Sequence, residues 1–83
     1  MSTSRHFEKF KDALVDGLGV KPEWAVPESQ LGQDMMLDSL DREELSMTVE
    51  EVFELRIKSD DLRKLCQATA TMQDWLDYLD KHV

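Results

Sequence analysis

Apolar side chains recur along this chain at helical spacing. Phe7, Phe10, Leu14 and Leu18 fall at i, i+3, i+7 and i+11 and make one stripe. The spacing predicts a helix over about residues 4–18, with Ser4 as N-cap, Gly19 as C-cap and Gly17 weakening the last turn. A second stripe, Leu45, Val49, Phe53 and Ile57, recurs at i, i+4, i+8 and i+12. It predicts a helix over about residues 39–55, with Leu40 and Val52 widening the buried face. Asp38 is its expected N-cap, and Asp41 is placed to reach back as in a capping box. Leu62 and Leu65 mark a short third helix over about residues 59–67, capped by Ser59 or Asp60. Met72, Trp75, Leu76 and Leu79 mark a fourth, starting from Thr71 with Asp74 at its third position. Lys81 and His82 suit its C-terminal end.

Residues 20–37 read as a connection, because Pro22 and Pro27 interrupt any helix there. Connections longer than about 12–15 residues are uncommon unless they do something. This one is expected to cross the bundle and pack Trp24, Val26 and Leu31 against it. No strand pattern, repeat or low-complexity segment is present. The expected fold is all-α: a four-helix bundle of three longer helices and a short third, with a long loop between helices 1 and 2.

Eighty-three residues suffice for one small domain, spanning 1–83. A chain of this size buries roughly 60% of the surface it exposes when unfolded, so the core is modest and a deep active site is not expected. Cys66 is the only cysteine, so no intrachain disulfide forms, which fits a reducing compartment. No apolar run of a secretory signal follows the N-terminus, and no stretch approaches the roughly 20 apolar residues of a membrane span. The expected location is cytoplasmic, and the default state a monomer.

Charge changes the picture more. The net charge is −8, and residues 34–54 hold eight acids against the single base Arg42, so −7 of it lies in about a quarter of the chain. Asp34, Asp38, Asp41, Glu43, Glu44, Glu50, Glu51 and Glu54 make one acidic field. The field argues against nucleic acid as a partner, since phosphate binding needs clustered Lys and Arg. An acidic field suits a basic protein surface; it also keeps a small protein soluble.

Candidate chemistry narrows quickly. His6 and His82 lie at opposite ends with no Cys or His at ligand spacing, which argues against zinc. Loops counted from Asp34 or Asp38 put Met36 or Leu40 at the third EF-hand position, so calcium of that type is excluded. No Gly-x-Ser-x-Gly elbow and no glycine-rich phosphate loop is present, and enzymatic activity is not expected. Ser39 remains, a hydroxyl at a helix start beside unpaired backbone N–H groups. A phosphodiester on that oxygen would sit at the positive end of the helix dipole. A plain helix-start serine has the same position.

The residues around Ser39 carry a resemblance. Asp38-Ser39-Leu40-Asp41, with Glu44-Leu45 following, resembles the signature of acyl carrier proteins. Leu18-Gly19-Val20 is similar to the end of that family's first helix, and Leu31-Gly32-Gln33-Asp34 to its approach to the serine. Residues 71–79 are similar to its last helix. The resemblance implies a bundle of acyl-carrier type in which Ser39 carries 4'-phosphopantetheine. A phosphopantetheinyl transferase would attach it from coenzyme A. Its thiol would hold acyl intermediates as thioesters for partner enzymes of fatty acid, lipid or polyketide-type synthesis. It further implies that Asp38, Asp41, Glu44, Met47, Glu50 and Glu51 face acyl-transferring or synthase enzymes with basic surfaces. Apolar residues of the second and third helices would line a cleft for the acyl chain. An aminoacyl or peptidyl carrier, or an unmodified acidic adaptor for a basic partner, are the alternatives.

Two departures stand out. Met36 occupies a position where the family usually has glycine, and Met35 and Met36 are candidates to touch cargo or partner. Thirteen residues separate Ile57 from Thr71, more than in carriers of fatty acid synthesis. Both changes imply a specialised member rather than the housekeeping one, with a longer third helix or a different exit loop.

Overall fold

In the computed structural model, residues 5–83 are described; the expected cap Ser4 lies outside them. Four helices form, and the described residues contain no strand. They are α1 (Phe7–Asp12, continued by a π-helical segment Ala13–Gly17), α2 (Ser39–Val52), α3 (Ser59–Leu65) and α4 (Met72–His82). The all-α bundle expected from the periodicity is the one observed.

The first helix departs from regular α geometry after Asp12. Gly19 follows it with φ of +74°, as the C-cap reading requires. The amide of Val20 donates to the carbonyl of Leu14 at 3.1 Å, six residues back. That wide closure fits the π turn, and it leaves Leu14 and Val20 both buried. In the following connection Pro22–Trp24 forms one 3-10 turn, with Pro22 in its first position.

Three of the four stripes are buried nearly as the spacing demands. Phe10, Leu14, Leu45, Val49, Phe53, Ile57, Trp75 and Leu79 all lie in one core. Trp75 stacks on Phe10 with ring centroids 5.7 Å apart, and its indole N–H donates to the carbonyl of Leu65 at 3.0 Å. The buried tryptophan thus has a partner for its polar edge and ties α4 to the end of α3.

Leu40 is a correction. It was expected to widen the buried face of α2, yet it is 74% exposed. At about 100° per residue, five positions put Leu40 about 140° from Leu45, while seven align it with Met47. Ser46 takes the inner position instead and is buried, its hydroxyl donating to the carbonyl of Glu43 at 2.6 Å. Val26 is likewise on the surface rather than in the core, whereas Leu31 is wholly buried and Trp24 half-buried.

The helix ends also shift. α2 stops at Val52, and Glu54 has φ of +52°. Leu55 donates to the carbonyl of Glu50 at 3.1 Å, which is the six-to-one bond of a Schellman turn. A glutamate therefore sits where glycine is usual. α3 ends at Leu65 and begins one residue after Lys58, so Ser59 and Asp60 lie inside its first turn and cap nothing. The extra length before Thr71 goes into an exit turn, not into helix; Ala70 donates to the carbonyl of Gln67 at 3.0 Å.

That exit turn is where the long connection docks. Leu31 donates to the carbonyl of Ala70 at 2.8 Å and Gly32 to that of Ala68 at 2.9 Å. In return Met72 donates to Ser29 and Gln73 to Pro27, at 3.0 and 2.8 Å. Gln30 and Thr71 form an isolated antiparallel bridge. The connection is a second layer strapped across the start of α4, and its register decides where the chain arrives at Ser39.

Candidate functional site

Ser39 is the first residue of α2 and is exposed. Asp38 caps the helix through a complete capping box. Its carboxylate accepts from the amide of Asp41 at 2.8 Å, and its own amide donates to the Asp41 carboxylate at 3.3 Å. Asp38 and Asp41, both expected at the partner-facing site, thus also set the geometry of the serine. The amides of Ser39 and Leu40 are left with no intrahelical acceptor, beside an exposed hydroxyl.

The approach to the serine is built as a tight turn. The Asp34 carboxylate accepts from the amide of Gln30 at 2.8 Å, and the amides of Asp34 and Met35 both donate to the carbonyl of Gln30. Leu37 donates back to Leu31 at 3.0 Å. Met35 and Leu37 point into the core at 2% and 5% exposure, and Met36 between them is 69% exposed. Met36 has φ of +61°. This backbone region favours glycine, so the structure gives a reason why glycine suits the position. Met35, a candidate for cargo or partner contact, is a core residue.

Arg42 went unnoticed in the sequence except as the one base among eight acids. It is a clamp: Nε donates to the carbonyl of Cys66 and Nη1 to that of Leu37, both at 2.7 Å. It joins the loop before the serine, the head of α2 and the end of α3. Nothing in local spacing marks this role, because both acceptors are backbone groups brought there by the fold. The Cys66 thiol donates to the carbonyl of Arg42 at 3.6 Å. Burial raises the thiol above its ordinary range, against the opposing pull of Ser46 and Arg42; this is a packed thiol rather than a reactive one.

The outer face of α2 is not uniformly acidic. Glu43, Glu44 and Glu51 are exposed, but so are Leu40 at 74% and Met47 at 61%. Glu50 is half-buried, and its carboxylate accepts from the amide of Ile57 at 2.9 Å, holding the loop between α2 and α3. Of the expected partner-facing residues, Glu44, Met47 and Glu51 are freely presented, Asp38 is exposed but caps α2, Asp41 is partly covered, and Glu50 is engaged in the fold. A shallow cleft of about 420 Å³ runs along Met47, Glu50, Glu51, Leu55 and Arg56. Another, of about 540 Å³, opens between α3 and α4 beside Asp61, Leu65 and Tyr78. Between α2 and α3, where an acyl cleft was expected, Leu45, Val49 and Leu65 are buried and Arg42 spans the seam.

No protein-family model matches the chain. Curated relatives do. An acyl carrier protein of Thermosynechococcus vestitus is 40% identical over 83 residues, 100% of this chain and 98% of that protein. An acyl carrier protein of Bdellovibrio bacteriovorus is 42% identical over 73 residues, 88% of each. Identity at this level over nearly the full length, together with the helical bundle and the capped serine, shows that the chain belongs to the acyl carrier protein family.

Proposed function

We propose that this protein is a non-catalytic carrier whose Ser39 is esterified with 4'-phosphopantetheine. Full-length similarity to acyl carrier proteins is the observation that carries the reading. The residues fit the group: Ser39 is exposed at the first position of a capped helix, with two uncommitted amides beside it to receive a phosphodiester. When bound, the group supplies a terminal thiol that holds an acyl cargo as a thioester. The chain's own part is to hold the attachment oxygen in the open and to offer the acidic surface. Asp38 and Asp41 fix the helix start, and Arg42 braces the loop behind it.

Asp38, Asp41, Glu44, Met47, Glu50 and Glu51 form the docking surface for the phosphopantetheinyl transferase and for acyl-transferring or synthase enzymes with basic surfaces. The cargo belongs to fatty acid, lipid or polyketide-type synthesis, and the carrier works in the cytoplasm as a monomer. Met36 in the loop before the serine and the exit turn after α3 favour a specialised carrier over the housekeeping one.

The test is intact-mass measurement after incubation with coenzyme A and a broad-specificity phosphopantetheinyl transferase. The chain gains the mass of one phosphopantetheine, and Ser39→Ala gains none. A chain left unmodified by several such transferases would sink the proposal and favour the unmodified adaptor.

A further inference from the structure

Five large apolar residues stand exposed among the described ones, and three of them, Met36, Leu40 and Met47, lie at the head and on the outer face of α2. Met36 is unlike the other two. Its backbone is in the left-handed region, which is strained for any residue with a side chain. The methionine recovers nothing for that strain by burial, since most of its side chain is in solvent. Fold stability therefore does not account for it. Strain held at an exposed position is a sign of a contact made with something else.

The knob is also held in place. Met35 and Leu37 anchor it from both sides in the core, and the Leu37 carbonyl is pinned by Arg42 at 2.7 Å. Asp34 and Asp38, two residues away on either side, are exposed acids. An apolar point inside an acidic rim is matched by an apolar pocket inside a basic rim.

One occupant follows from position. Met36 is three residues from Ser39, so their Cα atoms lie within about 11 Å even along extended chain. An enzyme that takes the Ser39 hydroxyl into its active site must cover that radius. We propose that Met36 is a specificity-determining contact for the enzyme that modifies Ser39, seated in an apolar pocket rimmed by Arg or Lys. This rests on the reading of Ser39 as an attachment site.

Steady-state kinetics of arm attachment test it, with coenzyme A, the phosphopantetheinyl transferase of the protein's own host, and the apo chain as variable substrate. Met36→Gln keeps the length and the strained backbone but is polar; Met36→Gly removes both side chain and strain. Both should raise KM for the carrier about tenfold, equivalent to about 1.4 kcal/mol, with kcat unchanged. Met36→Leu should restore the wild-type KM. Val26→Ala is the control, since Val26 is exposed on the connection next to Pro27, whose carbonyl accepts from Gln73 of α4. Met36→Gly should melt higher than wild type while it binds worse, which separates recognition from stability. An unchanged KM in Met36→Gln, or an effect confined to kcat, overturns the inference and leaves the attachment reading standing. No modification of the wild type defeats both.

Discussion

Two of the described residues carry backbone that their side chains resist. Met36 at φ of +61° is explained by what it presents. Glu54 at φ of +52° closes a helix, and glycine does that with less strain. A left-handed conformation costs a non-glycine residue roughly 1–2 kcal/mol, part of which glycine returns as unfolded-state entropy. Glu54→Gly should therefore stabilise by about 0.5–1 kcal/mol, read as a rise in Tm of a few degrees. No change, or a fall, would mean that the Glu54 side chain contributes more than its strain. Residue-scale roles were legible where the partner is local. Asp38 with Asp41 forms the capping box expected of it, and Thr71, expected at the start of α4, forms another with Asp74. Arg42 and Glu50 were not legible, because their partners are backbone groups at Leu37, Cys66 and Ile57.

Among the elements, the connection before α2 deserves to be counted with the helices. It is secured by four backbone hydrogen bonds to the exit turn of α3 and the start of α4. The approach is close at Gly32, where a Cβ would stand 2.5 Å from Cβ of Ala68 and 2.9 Å from its Cα. Backbone on that side cannot yield as a flexible side chain could. Gly32→Ala should cost about 1–3 kcal/mol, the usual penalty of overpacking, and should speed hydrogen exchange at the amides of Leu31 and Gly32. Wild-type exchange and an unchanged Tm would show that the strap does not hold. Proline positions told that this stretch was not helix. They could not tell that it pairs with residues 68–73, because such pairing follows no local period.

Across the whole molecule, the acidic field and the bundle pull in opposite directions. Eight acids over 21 positions repel one another, and six of them, Asp34, Asp38, Glu43, Glu44, Glu51 and Glu54, are exposed. Screening acts over roughly 10 Å at 0.1 M salt, so the thermal midpoint should rise from low to moderate ionic strength. A midpoint flat across that range would show the repulsion to be already relieved by geometry. The sequence by itself determined the helices and their inner faces, since Leu45, Val49, Trp75 and Leu79 declare a period that only burial on one side satisfies. It also determined the capped serine and the sign of the surface around it. Only the tertiary structure decided which acids are free for a partner, what closes the seam between α2 and α3, and that Met36 stands outward. The physical reason is common to all three. Each depends on a contact between residues far apart in the chain or on a backbone angle imposed from outside, and neither leaves a local pattern.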